Sequence, residues 1–343
     1  MSAVSSREPQ SSSETVNVSL GTAGLLGLQE VAQDALPTTA YLMVGGRCLR
    51  DCAFCAQART SQARADALSR IVWPPHDLDL TITRLREARE AGRLRRCCLQ
   101  VTTAPGYLAQ AERVLRRIRQ ASDIPLSVSA HARSLQDVRR LLDAGADRLG
   151  LALDAATPEV ALAAKGPGWA QALDLLESAA RAYPGRVSTH LIAGLGEQER
   201  EMVRLFQRLA EQGITIGLFA FTPVPGTALE RRQPPALASY RRLQAARHLI
   251  QLGLVRAADM RFGEDGAIAH LGGAPSALRQ ALADGQAFRT SGCPDCNRPY
   301  YNERPGGVMY NYPRPLHPAE IAEAIALALA APARDVSQGE RLG

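Results

Sequence analysis

Residues 45–57 read Gly45-Gly46-Arg47-Cys48-Leu49-Arg50-Asp51-Cys52-Ala53-Phe54-Cys55-Ala56-Gln57. The cysteines at 48, 52 and 55 follow a Cys-x3-Cys-x2-Cys spacing. Three thiolates this close in one short loop can bind three irons of a cubane iron–sulfur cluster. Because the loop offers no fourth cysteine, one iron would keep an open position where a small molecule can bind and accept an electron. The spacing therefore predicts a catalytic rather than a purely structural site.

Two other interpretations of this loop stay open, a partial zinc site and a chance grouping of cysteines. Structural zinc usually has four ligands, often from two Cys-x2-Cys pairs. Such a pair does occur far along the chain, at Cys293 and Cys296.

The bulk composition is that of a globular protein: 343 residues, 46 % of them apolar, with a formal net charge of +6. This length suffices for one large α/β domain or two ordinary domains. Most arginines lie in helical patterns with the spacing of solvated faces, and no nucleic-acid-binding module accompanies them. We therefore expect no nucleic-acid partner, although a basic face could dock an acidic carrier protein.

The cysteine usage and the chain ends indicate a cytoplasmic protein. Seven cysteines, an odd number in tight clusters, favour metal binding in a reducing compartment over a disulfide framework. Residues 1–18 lack the apolar segment of a signal peptide and are expected to be a disordered lead. The longest apolar stretch, Ile321 to Ala331, is interrupted by Glu323 and is too short to span a bilayer, so we expect no membrane association.

Short apolar runs alternate with longer amphipathic runs through most of the chain. The strand candidates are Thr39–Val44, Cys97–Thr103, Pro125–Ala130, Asp147–Leu153, Val187–Ala193 and Ile214–Phe221. The helical patterns between them are Leu78–Gly92, Leu108–Ala121, Ser134–Ala144, Gly168–Tyr183 and Glu197–Gln212. With weaker strands at Ala257–Phe262 and Ala267–Leu271, the alternation predicts an α/β fold, a full or nearly full (β/α)8 TIM-type barrel. The cysteine loop follows the first strand, at the end where barrel active sites lie.

No linker interrupts this pattern, so we expect residues 19–343 to form a single domain. A short helix is expected near Leu25 to Ala35, before Pro37, and a final helix at about Pro318 to Ala331. The segment at about 288–318 is rich in Pro, Gly, Tyr and Asn and contains two cysteines. It is expected to form a C-terminal cap over the barrel mouth.

The cysteine spacing, with Phe54 before the third cysteine, resembles the radical S-adenosylmethionine (SAM) superfamily. The resemblance implies a 4Fe-4S cluster held by Cys48, Cys52 and Cys55. It also implies that the open iron is chelated by the amino and carboxylate groups of SAM. Electron transfer then cleaves the sulfonium to methionine and a 5′-deoxyadenosyl radical, which removes hydrogen from unactivated carbon. In this chemistry the cofactor does the reaction and the protein positions and shields it.

Several residues are candidates for SAM contacts. The run His190 to Glu197 resembles the family's fifth-strand motif, which lines the adenine pocket. The candidate contacts in this run are Ile192, Gly194, Gly196 and Glu197. The alternative interpretation is an ordinary strand-to-helix turn. By resemblance to biotin synthase, Asp154 is a ribose ligand, the alternative being a helix N-cap. The family's usual Gly-Gly-Glu is absent after the second strand, as it is in biotin synthase, and Gln100 is the candidate contact there.

A second set of cysteines surrounds a different part of the predicted barrel. Strand alternation points Cys98 inward, with Gln100 and Thr102, and leaves Cys97 in the core. Cys98, Cys293 and Cys296 could then ligate an auxiliary 4Fe-4S cluster; a redox pair or half a zinc site are alternatives for the last two. Arg261 resembles the arginine that ligates the second cluster in biotin synthase, and Asp295 and Asn297 are other candidates for the fourth ligand. Cys98 and Arg261 would be catalytic through this sulfur-donating cluster.

The tail from Thr290 to Gly307, which includes Cys293-Pro294-Asp295-Cys296-Asn297-Arg298-Pro299, resembles the two-protein, archaeal-type lipoyl synthases, and Phe221 to Thr227 fits the same group. The resemblance implies sulfur insertion at C6 and C8 of an octanoyl chain. The implied partners are an octanoylated lipoyl carrier protein or domain (H-protein-like or E2), a second lipoyl synthase subunit, and a ferredoxin or flavodoxin. Competing hypotheses are another biotin synthase-like enzyme, for biotin synthesis or cofactor maturation, and a non-enzymatic metal-binding or electron-transfer protein.

Overall fold

The computed structural model describes residues 14–303 and 306–330. The strands are β1 (Thr15–Val18), β2 (Thr39–Val44), β3 (Ala67–Leu68), β4 (Ile71–Val72), β5 (Pro75–Asp77), β6 (Arg96–Val101), β7 (Leu126–Ser129), β8 (Arg148–Gly150), β9 (Val187–Ala193), β10 (Thr215–Ala220), β11 (Arg261–Phe262) and β12 (Ile268–His270). The helices are α1 (Leu20–Leu25), α2 (Leu78–Glu90), α3 (Tyr107–Ala121), α4 (Leu135–Asp143), α5 (Pro158–Lys165), α6 (Trp169–Ala182), α7 (Glu199–Glu211), α8 (Leu237–Gln251), α9 (Pro275–Leu282) and α10 (Pro318–Leu329).

The central sheet has eight strands in the order β10-β9-β8-β7-β6-β2-β1-β5. The six strands from β10 to β2 are parallel, whereas β1 runs antiparallel to both β2 and β5. Helices connect the parallel strands and cover them, so every residue of β2 is buried, as expected for strands packed on both faces. The predicted α/β, TIM-type and nearly full barrel is thus confirmed, with six parallel strands.

The two ends of the parallel sheet approach each other through the C-terminal segment. The Arg298 guanidinium lies 5.4 Å from the ring of Tyr41 on β2 and 5.4 Å from the ring of Phe219 on β10. In the same segment, the Ser291 hydroxyl accepts a hydrogen bond from the Leu218 amide at 2.9 Å, on the β10 side. The Asp295 carbonyl accepts one from the Thr39 hydroxyl at 2.9 Å, on the β2 side. The segment therefore bridges the gap between β10 and β2, in the position expected of a cap.

The N-terminal expectations need two corrections. Thr15–Val18 forms strand β1, with Val16 and Val18 buried, so the ordered chain begins before residue 19; residues 1–13 of the predicted lead lie outside the described residues. The predicted helix at Leu25 to Ala35 is wrong. The helix is α1, Leu20–Leu25, and it stops because Gly27 adopts a left-handed conformation with φ 67°.

The two weak strands predicted near residues 257–271 are not barrel strands. They are β11 and β12, which pair only with each other in an antiparallel hairpin. The turn at Gly263–Gly266 joins them, and two such short strands reverse direction before either can extend the sheet.

Six strand predictions are confirmed, with identical bounds for β2 and β9. Among the helices, α5, α8 and α9 were not predicted. Helix α8 gives no amphipathic signal because three of its arginines, Arg241, Arg242 and Arg247, are buried together with its apolar residues. Ala331, the last residue of the predicted final helix, lies outside the described residues. Over the part of the chain that the structure describes, no helix has the length and apolarity needed to cross a membrane.

Candidate active site

The three-cysteine loop leaves the carboxyl end of β2 and is held by backbone hydrogen bonds. The Cys48 amide donates to the Gln57 carbonyl at 2.9 Å, which closes the loop on itself. The Ala53 amide donates to the Ala164 carbonyl of α5 at 2.8 Å, and the Leu229 amide donates to the Ala53 carbonyl at 3.0 Å. These contacts fix the loop against α5 on one side and the segment after β10 on the other.

The three thiols of this loop are free and half-buried. Burial raises the pKa of the Cys55 thiol to about 12. Burial also raises the pKa of Cys52, with the Asp154 carboxylate as the next cause, while Lys165 and Arg50 oppose the shift. Cysteines bind metal as thiolates, so occupancy of this site releases protons. Three free thiols on one short loop, with Lys165 and Arg50 nearby, form a donor set that fits an anionic iron–sulfur cluster.

Within residues 14–303 and 306–330, no three His, Cys, Asp or Glu side chains converge to hold a single metal ion. An iron–sulfur cluster needs a different arrangement from a single metal ion, because each of its corner irons is a separate atom and binds one thiolate.

A cavity of about 520 Å³ opens beside the loop, within the barrel. Seven of the predicted site residues line it: Cys48, Cys52, Phe54, Cys55, Gln100, Asp154 and Ile192. The strands bring these residues together because the carboxyl ends of parallel strands meet at one end of the sheet.

Three predicted cofactor contacts, Gly194, Gly196 and Glu197, do not line this cavity. The Glu197 carboxylate accepts hydrogen bonds from the amides of Gly194 at 2.6 Å and Leu195 at 3.0 Å, so it closes its own turn. A side chain at Gly194 would place its Cβ 2.9 Å from Pro235, and Gly194 has φ 102°. Both glycine and carboxylate therefore serve the strand-to-helix turn, which was the alternative interpretation.

Asp154 lies at the cavity wall in a left-handed conformation, φ 67°, which is uncommon for a residue other than glycine. Its backbone bridges to β9: the Asp154 amide donates to the His190 carbonyl, and the Ile192 amide donates to the Asp154 carbonyl, both at 2.8 Å. It is not the cap of α5, because Thr157 accepts from the Val160 amide there. The Asp154 carboxylate forms an ion pair with Lys165 at 2.6 Å.

Sequence reasoning did not single out several cavity residues with titratable or hydrogen-bonding side chains, among them His131, Lys165 and Trp169. Burial, followed by nearby arginines, lowers the pKa of both His131 and His190 to about 4, so both imidazoles are neutral at pH 7. No motif points to His131 or to Trp169, whereas His190 begins the run that resembles the fifth-strand motif. Lys165, however, is the only lysine in the chain, and that signal was available in the sequence.

The four cysteines of the second set lie in different surroundings. Cys97 is fully buried in the main core, whereas the Cys98 thiol accepts a hydrogen bond from the side-chain amide of Gln100 at 3.0 Å. Cys98 and Cys296 pack against the same aromatic cluster, which contains Tyr41, Trp73 and Tyr301.

Cys293 and Cys296 reach this point from the C-terminal segment. The Cys296 thiol lies 3.5 Å from the Tyr41 hydroxyl, and the Cys293 thiol lies 4.0 Å from the Ser188 hydroxyl of β9. Burial raises the pKa of Cys98 to about 12, and Cys293 and Cys296 are close enough to add to that rise. Three thiols thus face one region of the barrel interior.

Arg261 is misplaced in the sequence-based prediction. It is exposed on β11, outside the cavity, because the hairpin that carries it is not part of the barrel. The other two candidate ligands are engaged elsewhere. Asp295 pairs with Arg95 at 3.3 Å on the surface. Asn297 accepts from the Thr38 amide at 3.0 Å and donates to the Leu36 carbonyl at 2.9 Å.

The arginine beside the thiols is Arg298, two residues after Cys296. It is buried and lies 4.8 Å from the ring of Tyr301, and its charge opposes the burial that raises the pKa of Cys98. Burial alone would lower the pKa of Arg298, but the surrounding tyrosine and cysteine groups raise it. No carboxylate pairs with it among residues 14–303 and 306–330. A buried cation without a carboxylate partner fits an anionic group such as an iron–sulfur cluster.

Comparisons with known proteins agree with this geometry. Residues 42–209 match the family model described as the radical SAM superfamily. A biotin synthase of Desulforudis audaxviator is 31% identical over 225 residues, 63% of this chain and 65% of that protein. A biotin synthase of Acidithiobacillus ferrooxidans is 28% identical over 194 residues, 55% of this chain and 59% of its own. The matches thus cover about three fifths of the length of these relatives.

Solved structures share the fold. Methylornithine synthase aligns with a TM-score of 0.51 and 12% identity over 68% of this chain and 67% of its own. The FeFe-hydrogenase maturase HydG from Carboxydothermus hydrogenoformans aligns with a TM-score of 0.51 and 16% identity over 89% of this chain and 69% of its own. At such identities these likenesses show the architecture alone.

The barrel, its three-cysteine loop and the matching family model define the class: residues 42–209 form a domain of the radical SAM superfamily. Membership implies a 4Fe-4S cluster that binds SAM at the loop. Within the superfamily, the chain is similar in sequence to biotin synthases.

Proposed function

We propose that this protein inserts sulfur into a protein-bound octanoyl chain, as the two-protein lipoyl synthases do. The observation that carries the proposal is the second thiol site: Cys98, Cys293, Cys296 and Arg298 face the interior of the same barrel as the SAM-binding loop. A barrel that only cleaved SAM would not require a second set of convergent thiols. A second site that supplies sulfur gives them a use.

The residues present divide the work between two sites. When bound, a 4Fe-4S cluster and SAM supply a carbon-based radical, and an auxiliary cluster supplies sulfur. Cys48, Cys52 and Cys55 would hold the first cluster. Cys98, Cys293 and Cys296 would hold the second, with Arg298 offsetting its negative charge. The cavity beside the first site is also lined by Arg298 of the second, though not by its three cysteines. Apolar groups such as Phe54, Leu151 and Phe221 line this cavity and would keep water from the reacting carbon.

The proposed partners follow from this chemistry. The octanoyl group would arrive on a lipoyl carrier protein or domain, H-protein-like or E2, and a ferredoxin or flavodoxin would supply electrons. A second lipoyl synthase subunit would share with this protein the insertion of sulfur at C6 and C8 of the octanoyl chain. The net charge of +6 suits an acidic carrier.

Biotin synthesis is a second candidate, supported by the relatives named biotin synthase at 31% and 28% identity. Both candidates insert sulfur at carbon and use the same two sites, so the site geometry does not separate them. Their substrates do, because one is attached to a protein lysine and the other is free.

The test is a sulfur-insertion assay on anaerobic, iron-loaded protein with SAM and a reductant. It compares an octanoyl-lysyl carrier peptide with the sulfur-free precursor of biotin, each with and without the presumed partner subunit. We expect the peptide to gain the mass of one or more sulfur atoms. Sulfur gain only by the biotin precursor would establish the second candidate, and SAM cleavage without either product would rule out both.

The test variant combines Cys293→Ala with Cys296→Ala, and its matched control is Cys97→Ala. The pair is expected to abolish sulfur insertion while SAM cleavage continues, because the SAM loop is untouched. Cys97 is the core thiol beside Cys98, and its loss should leave insertion unchanged. Insertion that persists in the Cys293/Cys296 variant would show that the auxiliary assignment is wrong.

A further inference from the structure

Lys165 is the only lysine among the 40 lysine and arginine residues of this chain. It lies on the wall of the main cavity, as the last residue of α5. Its side chain is 16 % exposed, and that of its partner Asp154 is 12 % exposed. The one lysine of a chain that otherwise uses arginine thus lies on the wall of the cavity beside the cysteine loop.

The geometry around the ammonium explains why lysine suits this position. The Lys165 Nζ lies 2.6 Å from the Asp154 carboxylate, donates to the Ala152 carbonyl, and lies 3.5 Å from the Leu153 carbonyl. Three acceptors thus converge on one atom, which matches the three donors of an ammonium. The planar fork of a guanidinium directs its donors differently and needs more space.

These contacts hold the segment after β8, residues 152–154, in an uncommon backbone conformation. Asp154 has φ 67°, a conformation that costs free energy for a residue with a side chain and persists only when its surroundings enforce it. Lys165 binds the carboxylate of this residue and carbonyls of the two residues before it. It therefore fixes both the turn and the direction of the Asp154 side chain at the cavity wall.

The same lysine is joined to the cysteine loop. Ala164, its neighbour on α5, accepts the backbone hydrogen bond from Ala53, which lies between Cys52 and Cys55. The charges of Asp154 and Lys165 both act on the Cys52 thiol, in opposite directions. The Asp154 turn, the end of α5 and the cysteine loop thus form one connected unit.

We propose that Lys165 is a positioning residue of the SAM site: it holds the Asp154 carboxylate where the nucleoside of SAM binds, and it balances the charge of that carboxylate beside the cluster. Lys165 acts through Asp154. The inference depends on the SAM site and is independent of which substrate receives sulfur.

The first test is a double-mutant cycle on SAM affinity, measured by equilibrium dialysis of labelled SAM with iron-loaded protein in the absence of reductant and acyl substrate. Lys165→Met and Asp154→Asn are each expected to weaken SAM binding about tenfold, the loss of one charge-assisted contact. The double variant is expected to bind no more weakly than Asp154→Asn alone, because Lys165 has no route to SAM once the carboxylate is gone. Losses that multiply, or a Lys165→Met affinity within twofold of the wild type, would overturn the proposal.

The matched control is Leu162→Ala, on the same helix but 64% exposed. It shortens a side chain of α5 without touching the cavity, and SAM affinity should not change. A loss of affinity in this control equal to that of Lys165→Met would mean that α5 acts only as a scaffold.

The second test measures the midpoint potential of the cluster by anaerobic titration. Removal of the ammonium leaves the Asp154 charge uncompensated near Cys52, so Lys165→Met should shift the potential to more negative values. In the double variant with Asp154→Asn the shift should be reversed. An unchanged potential in Lys165→Met would contradict the charge-balancing role, which a purely structural lysine would not have.

The third test needs no variant and so remains valid if Lys165→Met does not fold. The wild-type protein is treated with methyl acetimidate, and peptide mass spectrometry reports modification of the single lysine. Bound SAM is expected to slow that modification at least tenfold. Equal modification with and without SAM would overturn the proposal. Because all three tests measure SAM or the cluster directly, a failure of the sulfur-insertion assay would leave their outcome unaffected.

Discussion

Consecutive residues of a strand in this chain lie in different surroundings, because side chains alternate between the two faces of the strand. Cys97 points into the helix-covered core and Cys98 points toward the barrel interior. The direction of the Arg298 side chain likewise decides its neighbours. Its guanidinium lies near Cys98, Tyr41, Phe219 and Tyr301, and no carboxylate among the described residues pairs with it. At this scale, charge and direction decide which residues belong to a site.

Arg298→Met is expected to reduce iron binding at the second thiol site, because a buried anionic cluster would lose its cation. Iron per chain should fall from about eight to about four, the content of one 4Fe-4S cluster. The measurement is iron and sulfide analysis of anaerobically reconstituted protein, with circular dichroism to confirm folding. Arg95→Met, which removes an exposed arginine that pairs with the same segment, should keep the full iron content. Equal iron in both variants would contradict the role assigned to Arg298.

Glu303 predicts an unusual pH dependence of stability. Its carboxylate accepts from the Asn302 amide at 3.1 Å and the Asn311 amide at 2.8 Å, yet burial raises its pKa from 4.5 to about 7. Between those pH values the folded protein retains a proton that the unfolded chain has lost. The free energy of unfolding should therefore fall as pH rises from 5 to 8, with Glu303 contributing about 3 kcal/mol to that fall.

Urea unfolding of the anaerobic protein at pH 5 and pH 8 measures this difference. Glu303→Gln should flatten the dependence, because the amide does not titrate. Glu320→Gln is the matched control: Arg314 lowers the pKa of Glu320 to about 2, so Glu320 is ionised across this range in both the folded and unfolded states. If Glu303→Gln keeps the wild-type slope, the raised pKa is refuted.

At the scale of elements, the segment after β10 and the cysteine loop support each other. The Gly226 carbonyl accepts from the Gln62 amide at 2.8 Å and from the Ser61 hydroxyl at 3.2 Å. Gly226 has φ 82°, and a Cβ there would lie 2.5 Å from the Ala63 amide nitrogen. A glycine is therefore required where these two loops meet.

Gly226→Ala should lower the free energy of unfolding by roughly 3 kcal/mol, because backbone atoms must shift to admit the methyl group. It should also weaken cluster retention, since the displaced segment continues into the cysteine loop. Gly253→Ala is matched in backbone conformation, φ 69°, but faces open space, and should cost only about 1 kcal/mol of conformational strain. Equal losses in unfolding experiments on the two variants would show that the contact at Gly226 is unimportant.

At the scale of the whole molecule, the C-terminal segment completes the barrel. It bridges β10 and β2 and carries two thiols and a cation to the interior. Helix α8 anchors it, because Arg241 donates to the carbonyls of Met309 at 2.5 Å and Tyr310 at 2.6 Å. The second thiol site therefore forms only when the C-terminal segment packs against the sheet.

The whole protein should hold two separable clusters. A variant with Cys48, Cys52 and Cys55 all changed to Ala should retain about four irons and lose SAM cleavage, because the second site lies on other elements. The measurement is iron and sulfide content together with 5′-deoxyadenosine release after reduction. Complete loss of iron in this triple variant would show that the protein carries a single cluster, which would contradict the proposed sulfur donor.

The sequence by itself determined the class of fold and the position of the SAM loop. The cysteine spacing in residues 48–55 is local, so one short segment contains the whole pattern, and the alternation of buried strands with amphipathic helices repeats often enough to identify a parallel barrel. The cytoplasmic location, the partners and the octanoyl substrate stay predictions.

Only the tertiary structure decided which distant residues share a site. The sequence pointed to Arg261, which lies on a hairpin outside the barrel, whereas Arg298 is buried beside thiols from β6 and the C-terminal segment. The pairing of Lys165 with Asp154 and the closure of its own turn by Glu197 are seen only in the folded chain. The physical reason is that burial and pairing depend on contacts between residues far apart in sequence, which no local pattern records.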